Sequence, residues 1–267
     1  MRKYFYILFA FVLAFSSCKE NTENIEVEIN LTSENLLNAT IWYQQSAEMQ
    51  ACYYQAFNYS KNQLLRNIET STTTKPKAVI VDIDETMLDN SPFEAYLIQN
   101  NETFNKDLWY KWVNLASAKA LPGAVDFSIF AKENEVTVFY VSNRVVANIE
   151  PTVKNLQAEG FAYAENEYVL LKEETSDKTE RRNLIAENYE VIMLIGDNLR
   201  DFDEIFTDRN SKFGFQIVEE HEDLFGTKYI MLPNPMYGQW EKAYKNPEGD
   251  TPQEQILENM RKSLISF

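Results

Sequence analysis

The sequence predicts an α/β protein built around a parallel sheet. Three apolar runs rich in β-branched residues, at 78–81, 136–141 and 191–195, each stop at polar residues, and a shorter run covers 168–171. Such runs are typical of strands that helices cover on both faces, as in parallel sheets. A chain of 267 residues, of which 45% are hydrophobic, can form one sizeable α/β domain with a modest insertion.

A long helix is predicted before the first strand, from Ser33 to about Glu69. Ser33 is a suitable N-cap, and Leu37, Cys52 and Leu64 fall near one stripe of the helix. The segment is also rich in aromatic residues. Aromatic side chains dominate core burial, so this composition favours packing onto the sheet over an aromatic cofactor site.

The first strand ends at two carboxylates, Asp82 and Asp84, within the sequence Asp-Ile-Asp-Glu-Thr. Alternate residues of an extended chain point to the same side, and ligands of open α/β sheets bind at the carboxyl ends of strands. Two neighbouring carboxylates repel one another, and a hard cation such as Mg²⁺, which prefers oxygen ligands, relieves this repulsion. A strand that runs into an acidic turn would contain the same residues, so this motif alone does not decide between the two interpretations.

Polar side chains also follow the other predicted strands. They are Ser142, Asn143, Arg144, Lys178, Asp197 and Asp201. Each has a structural alternative: Ser142 could cap a helix, and Asp197 could favour the first turn of one. Their joint order along the chain favours a common site suited to phosphate or metal.

In this order the residues resemble the four motifs of the haloacid dehalogenase (HAD) superfamily of phosphohydrolases. Residues 82–86 match the first motif, Ser142 the second, Lys178 the third, and Gly196-Asp197 with Asp201 the fourth. The chain is more closely similar to the class C acid phosphatases, which are bacterial lipoprotein phosphatases. That similarity extends from the helix before the first strand to Trp240 and includes residues 88–92, 121–124, 196–202 and 232–241.

The resemblance implies a three-layer Rossmann-like fold with a central parallel sheet and a mainly helical cap inserted between motifs one and two. The insertion falls at about 90–122, where 92–98 and 106–120 are predicted to be helices and no strand is expected. Placed over the carboxyl ends of the strands, a cap would exclude water and read the leaving group.

The resemblance also implies catalytic roles. Asp82 is the expected nucleophile, which would form an aspartyl-phosphate, and Asp84 is the expected general acid and then base. Ser142 would donate a hydrogen bond to a phosphate oxygen, while Lys178 would supply a compact positive charge.

Mg²⁺ is the expected cofactor, acting as a Lewis acid on the phosphoryl group. Its expected ligands are the carboxylates of Asp82 and Asp197 and, by the family pattern, the backbone carbonyl of Asp84. Asp201 would orient a metal-bound water without binding the ion itself.

Four residues are expected at the substrate: Asn143, Arg144, Trp109 and Tyr237. For Arg144, an ion pair with an acidic neighbour is the open alternative. Of the two cap tryptophans, Trp109 and Trp112, one is expected to pack in the core and the other to stack on a planar leaving group such as a nucleobase or nicotinamide. The resemblance favours Trp109 for stacking, with Tyr237 on the opposite side.

Composition excludes several other classes of function. With 7 glycines and no glycine-rich loop, the chain lacks the signature of a P-loop or a dinucleotide site. A single histidine, His221, excludes a histidine acid phosphatase and a multi-histidine zinc site. A formal net charge of −16 argues against a nucleic acid polymer as partner.

Residues 1–17 are predicted to be a lipoprotein signal peptide, because two basic residues precede an apolar run and two serines. The run is short for a membrane span. Cys18 resembles the lipidated cysteine of a bacterial lipobox, although Phe15 stands where leucine is usual. An ordinary signal peptide with an incidental cysteine is the alternative.

The predicted organisation is therefore a signal peptide (1–17), a tether (18–33) and a phosphatase domain (34–267). The signal peptide predicts an exported protein. By the lipoprotein sorting rules of Gram-negative bacteria, Lys19 after the lipidated cysteine predicts a lipid anchor in the outer membrane. The expected partners are a small phosphomonoester, the membrane through its lipid anchor, and a second copy in a homodimer.

The predicted function is a Mg²⁺-dependent acid phosphatase that hydrolyses phosphomonoesters, nucleoside 5′-monophosphates or nicotinamide mononucleotide among them. A phosphotransferase is one alternative, since an alcohol could replace water as the attacking group. A non-catalytic surface lipoprotein that binds haem or a nucleotide is the other.

Overall fold

The computed structural model describes residues 34–209, 212–246 and 249–267. The predicted signal peptide, Cys18, the tether and the helix cap Ser33 lie outside these residues. Within the described part of the chain, no helix is both long and apolar enough to cross a bilayer.

The central sheet has five strands, all paired in parallel, which confirms the predicted fold class. In chain order they are β1 (Lys77–Val81), β4 (Val136–Val145), β5 (Val169–Lys172), β6 (Glu190–Gly196) and β7 (Tyr229–Met231). Their spatial order is β5-β4-β1-β6-β7, so β1 lies at the centre between β4 and β6. The last strand, β7, is one that the sequence pattern did not predict.

The described part of the chain contains helices that cover both faces of this sheet and others that form the cap. They are α1 (Leu37–Gln45), α2 (Ala47–Thr70), α3 (Ser91–Gln99), α4 (Lys106–Leu115), α5 (Ala124–Glu133), α6 (Ile149–Glu159), α7 (Thr179–Asn188), α8 (Leu199–Phe202), α9 (Phe215–Glu219) and α10 (Gln253–Ser263). Short 3₁₀ turns include Val146–Asn148, Asn166–Tyr168, Glu204–Thr207, Glu222–Leu224 and Gln239–Tyr244.

The alternation of side chains along β1 creates two separate cores. Val79 and Val81 pack on one face with residues of α2, α5 and α6, whereas Ala78 and Ile80 pack on the other with α7 and α8. Each fully buried side chain of this size contributes about 1.5–3 kcal/mol. These cores hold the three layers together and fix where each strand ends.

The helix predicted before β1 is broken in two at Ser46. Ser46 has an extended backbone, and its hydroxyl accepts a hydrogen bond from the Met49 amide (3.0 Å), so it caps α2 instead of continuing α1. The face of α2 that packs on the sheet includes Met49, Tyr53 and Phe57. The predicted stripe was wrong for Cys52, which is exposed.

The cap lies between two very short strands, β2 (Leu88–Asp89) and β3 (Lys119–Ala120), which pair antiparallel. Helices α3 and α4 occupy the insertion, as predicted. The expectation that this segment contains no strand was wrong, because two-residue strands leave no periodic pattern in a sequence. The second cap helix also ends earlier than predicted, at Leu115, because Ala116 adopts a left-handed conformation (φ 48°).

Candidate active site

Three neighbouring strand ends bring the predicted motifs together. Asp82 follows β1 directly, and its amide donates to the Ile195 carbonyl of β6 (3.0 Å), which continues the pairing one residue past the strand. Ser142 lies in β4, on the other side of β1, and Asp197 follows β6. The parallel order β4-β1-β6 therefore delivers the first, second and fourth motifs to one edge of the sheet.

Three carboxylates from these segments form a compact cluster. Asp82, Asp197 and Asp201 each offer an oxygen, and these oxygens lie within 4.8 Å of one another. Burial raises the pKa of Asp82 to about 7, with Lys178 opposing the rise and Asp201 adding to it. Burial and the two neighbouring aspartates raise the pKa of Asp197 as well. An all-oxygen donor set that is electrostatically strained in this way fits a hard divalent cation.

Asp197 is held by two neutral donors. Its Oδ2 accepts from the Asn234 side-chain amide (2.8 Å), and its Oδ1 lies 3.4 Å from the Thr86 hydroxyl. Neither donor carries a charge. The Asp197 carboxylate is therefore oriented but not neutralised, which is the state a metal ligand needs.

Lys178 lies between two of the carboxylates. Its ammonium group forms buried ion pairs with Asp82 and with Asp201, the latter at 2.7 Å, and only 3% of the lysine is exposed. Burial alone would lower the pKa of Lys178, but the charges of Asp201 and Asp82 overcome this and raise it. Lys178 is therefore a fixed cation beside the expected nucleophile.

The fourth motif requires its glycine because Asp201 lies directly against it. A Cβ on Gly196 would lie 2.4 Å from Asp201 Oδ2, which no side chain could tolerate. The same Oδ2 accepts from the Asn198 amide (2.9 Å), completing a capping box at the start of α8. Asp201 is thus locked by helix capping on one side and by Lys178 on the other.

Asp84 belongs to a different polar group from the three clustered aspartates. Its Oδ1 accepts from Arg144 (Nε, 2.9 Å; Nη2, 2.8 Å) and from the Asn90 side-chain amide (2.8 Å). Its Oδ2 accepts from the Ser142 hydroxyl (3.1 Å). The two aspartates of the first motif therefore have different partners, Lys178 for Asp82 and Arg144 for Asp84.

Of the open alternatives for Arg144, the structure shows the ion pair with an acidic neighbour. Arg144 is 2% exposed, and its guanidinium lies 5.8 Å from the ring centre of Trp109. Asn143, also predicted at the substrate, is exposed, and its side-chain oxygen accepts from Arg181 (2.9 Å).

The two cap tryptophans make different contacts. The Trp112 ring packs on the main core, and its indole nitrogen donates to Asn90 (2.8 Å). Trp109 is partly exposed and packs edge-on against Phe93 (5.2 Å between ring centres). Tyr237 is also partly buried against the main core.

Tyrosines of helices α1 and α2 hold the turn that follows Asp84. Glu85 has a left-handed backbone (φ 58°), and its carbonyl accepts from the Tyr53 hydroxyl (2.5 Å), which contacts the Tyr43 hydroxyl in turn. The Glu85 carboxyl is fully buried, where it accepts from the Asn90 amide (2.6 Å), and burial raises its pKa. Helices α1 and α2 therefore fix the loop that carries Asp84.

Sequence reasoning gave no role to several residues that lie within the motif segments or contact their side chains or backbone. They are Glu85, Asn90, Arg181, Arg182 and Asn234. Asn90 and Asn234 lie within the segments quoted for the family resemblance, so their positions were a usable signal. The two arginines left no signal in the sequence, because nothing local distinguishes them from solvated helix residues.

Comparison with known proteins identifies the class. The family described as "HAD superfamily, subfamily IIIB (Acid phosphatase)" matches residues 11–240. The structure of the class C acid phosphatase from Bacillus anthracis superimposes with a TM-score of 0.82 and 35% identity, covering 90% of this chain and 100% of that one. The structure of the same enzyme with tungstate bound superimposes with a TM-score of 0.83 and 34% identity, and it also covers 90% of this chain and 100% of that one.

The chain therefore belongs to subfamily IIIB of the HAD superfamily, and its resemblance to the class C acid phosphatases is confirmed. Two plant proteins are also similar. The Stem 31 kDa glycoprotein of Glycine max is 26% identical over 164 residues, and Acid phosphatase 1 of Solanum lycopersicum is 27% identical over 172. The alignments cover 59% of this chain in each case, and 58% and 57% of those proteins.

Proposed function

We propose that the protein is a Mg²⁺-dependent phosphomonoesterase whose reaction proceeds through a phosphorylated Asp82. The observation that carries this proposal is the convergence of Asp82, Asp197, Asp201 and Lys178 at one strand edge, with oxygens of the three aspartates within 4.8 Å of one another. A non-catalytic binding protein would not need this whole set. The single histidine adds to the case against conventional haem ligation.

Asp82 and Asp197 would hold the ion, joined by the backbone carbonyl of Asp84, and Asp201 would orient a bound water. When bound, Mg²⁺ supplies Lewis-acid polarisation and neutralises phosphate charge. The acidic donor set supports a cation of this class. Mg²⁺ itself is the proposed choice because hard oxygen ligands suit it.

The chain's own residues then divide the reaction between them. The Asp82 carboxylate attacks phosphorus, forming an O–P bond while the bond to the ester oxygen breaks. Asp84 gives a proton to the departing alkoxide and later takes one from the water that hydrolyses the acyl phosphate. Lys178 and the Ser142 hydroxyl stabilise the charged equatorial oxygens.

The contacts of Asp84 orient its carboxyl, which supports the proposed acid–base role. Arg144 and Asn90 hold one of its carboxylate oxygens, and the Ser142 hydroxyl lies at the other. The fixed geometry keeps the carboxyl from pairing with Lys178. The two aspartates can therefore act as nucleophile and acid–base in turn without exchanging partners.

The proposed substrates are nucleoside 5′-monophosphates and similar aromatic phosphates such as nicotinamide mononucleotide. Trp109 supports this choice, because it lies on the cap helix α4 beside Arg144 and is partly exposed. A planar leaving group would stack on Trp109, with Tyr237 as the opposing ring. Asn143 would complete the substrate site, where Arg144 would act through its ion pair with Asp84.

For location, the proposal remains an exported lipoprotein anchored through Cys18 in the outer membrane of a Gram-negative bacterium. It is supported by the charged, apolar and small-residue order of residues 1–18. Labelling intact cells with a radioactive fatty acid would test it, and a Cys18→Ser variant should abolish the label.

The decisive functional experiment is a hydrolysis assay on residues 34–267. We expect release of p-nitrophenol from p-nitrophenyl phosphate with added Mg²⁺ and its loss with a chelator. A panel of nucleoside 5′- and 3′-monophosphates, nicotinamide mononucleotide, pyridoxal phosphate and sugar phosphates would define the substrate. Preferential transfer of the phosphoryl group to added alcohols would identify a phosphotransferase instead.

A further inference from the structure

Two consecutive arginines at the start of α7 contact different halves of the active site. Arg181 Nη1 donates to the Ser142 carbonyl (2.6 Å), and its Nη2 donates to the Asn143 side chain (2.9 Å) and the Asp177 carbonyl (3.1 Å). Arg182 turns the other way. Its Nη1 donates to the carbonyls of Arg200 (3.1 Å) and Asp201 (3.3 Å).

Helix geometry explains why neighbours diverge in this way. Successive residues of an α-helix are about 100° apart around its axis, so adjacent side chains reach different surroundings. Arg181 and Arg182 are also the i+3 and i+4 neighbours of Lys178, on the same side of the helix one turn further on. The cation of the third motif is therefore flanked by one arginine that reaches the second motif and one that reaches the fourth.

Each arginine donates to the backbone carbonyl of a residue whose side chain belongs to the candidate site. Arg181 donates to the carbonyl of Ser142, the residue whose hydroxyl is proposed to bind phosphate. The Asp201 carbonyl belongs to the same residue as the carboxylate that pairs with Lys178. A shift of the backbone at Ser142 in β4 or at Asp201 in α8 would move a functional group relative to Lys178.

We propose that Arg181 and Arg182 are positioning residues with separate tasks. Arg181 fixes Ser142 relative to Lys178 and so sets phosphate affinity, whereas Arg182 fixes Asp201 relative to Lys178 and so sets metal affinity. Because it takes Ser142 as a phosphate ligand and Asp201 as part of the metal site, this proposal rests on the proposed function.

A purely structural role for both arginines gives a different expectation. If they only stabilise α7, then removing either should lower the melting temperature and weaken both ligands alike. Separate tasks predict a crossed result, in which each variant changes the binding of one probe. The guanidinium shape matters for Arg181, because its Nη1 holds the Ser142 carbonyl while its Nη2 holds the Asn143 side chain, whereas an ammonium is a single point donor.

The test uses calorimetry on the full-length protein, with Mg²⁺ alone as one probe and orthophosphate at saturating Mg²⁺ as the other. Arg181→Gln should weaken orthophosphate binding about tenfold and change the Mg²⁺ dissociation constant less than twofold. Arg182→Gln should weaken Mg²⁺ binding about 10–100-fold, the usual effect of losing a partner outside the coordination shell. At saturating Mg²⁺, the orthophosphate dissociation constant of the Arg182→Gln variant should stay within twofold of the wild-type value.

Lys75→Gln is the matched control. The Lys75 ammonium donates to the Ala186 and Glu187 carbonyls at the far end of the same helix (2.9 and 3.0 Å), so it tests helix anchoring without contact to the site. We expect both dissociation constants to stay within twofold of wild type. If either glutamine variant fails to fold, Arg181→Lys and Arg182→Lys keep the charge without the fork and are judged by the same crossed pattern.

The outcomes separate cleanly. Equal weakening of Mg²⁺ and orthophosphate binding in both variants would overturn the positioning proposal while leaving the proposed function intact. The same weakening in Lys75→Gln would do so too. Wild-type protein that binds neither Mg²⁺ nor orthophosphate would overturn the proposed function, and the positioning proposal with it. The crossed pattern supports both.

Discussion

The strand-end site and the cap of this protein are built in contrasting ways. At the strand ends, Asp82, Ser142 and Lys178 are almost wholly buried, and each contacts other polar groups. On the cap, Trp109 is partly exposed and Phe104 is 61% exposed, and their side chains contact aromatic rings and one guanidinium. Polar contacts of defined direction hold one region, and non-directional packing holds the other.

This difference separates chemistry from selectivity. Phosphoryl transfer needs charges held in fixed positions, because groups that move must be reorganised during the reaction. Recognition of a leaving group needs a surface whose side chains can change without disturbing those charges. Among the contacts described above, one group of residues links the two regions. Asn90 accepts from both Trp112 and Arg144, and the Arg144 guanidinium lies over the Trp109 ring.

Removing the nucleophile should break the strand-end site most completely. We expect Asp82→Asn to lower kcat by about 10⁴-fold or more, as for other covalent catalysts that lose their nucleophile. The assay is p-nitrophenyl phosphate hydrolysis at saturating Mg²⁺, with circular dichroism to show that the variant is folded. Activity equal to wild type would remove Asp82 from the mechanism.

Removing the buried cation should damage both activity and folding. Lys178→Met is expected to lower kcat by about 10²–10³-fold. In chelator it should also reduce the free energy of unfolding by about 3 kcal/mol, because two buried carboxylates lose their partner. Added Mg²⁺ should restore part of that stability. Lys119→Met, which removes an exposed lysine from its pair with Glu159, is the control. It should change the free energy of unfolding, measured by urea denaturation, only slightly.

The acid–base assignment of Asp84 can be sharpened through the leaving group. An alkyl phosphate needs a proton on its departing oxygen, whereas p-nitrophenolate leaves unprotonated. Asp84→Asn should therefore lower kcat/KM at least about tenfold more for an alkyl phosphate than for the aryl phosphate. Equal losses for both substrates would assign Asp84 to another role. Arg144→Lys should reproduce a weaker form of the same pattern, since Arg144 fixes this carboxylate.

Metal affinity should depend on pH in a direction set by Asp82. Burial raises its pKa to about 7 in the metal-free protein, so the carboxyl is mostly protonated and neutral below that pH. A protonated carboxyl must lose its proton to bind Mg²⁺. The Mg²⁺ concentration for half-maximal activity should therefore rise about tenfold per unit as the pH falls from 7 to 5. A constant value over this range would show that Asp82 stays ionised.

The smallest effect is expected on the cap. Trp109→Leu should raise KM for a nucleoside 5′-monophosphate by about 5–20-fold, which corresponds to the loss of one stacking contact. The same variant should leave KM for a small alkyl phosphate nearly unchanged. Phe104→Leu, another partly exposed cap aromatic, serves as the control. If both variants change both substrates alike, the cap does not read the leaving group through Trp109.

The same contrast explains what sequence reasoning could predict. Asp82, Ser142, Lys178 and Asp197 could be placed because each follows an apolar run in the sequence, and parallel strands deliver their ends to one edge of the sheet. The break at Ser46 was missed because a serine within a helical pattern can be a cap or a tolerated interior residue.

Contacts made at a distance left no such trace. The pairing of Asp84 with Arg144 and of Arg182 with the Asp201 carbonyl depends on side-chain directions set by the packed layers. Strands β2 and β3 are too short to show a period. Sequence therefore predicted which residues assemble, and the structure adds which of them are partners.

A crystal structure of the protein with Mn²⁺ and tungstate tests the central claim most directly, because anomalous scattering locates both ions. The account predicts Mn²⁺ bound to the Asp82 and Asp197 carboxylates, and tungstate beside Lys178 and Ser142. An ion bound elsewhere, with the carboxylates of Asp82 and Asp197 left without metal at saturating Mn²⁺, would contradict it.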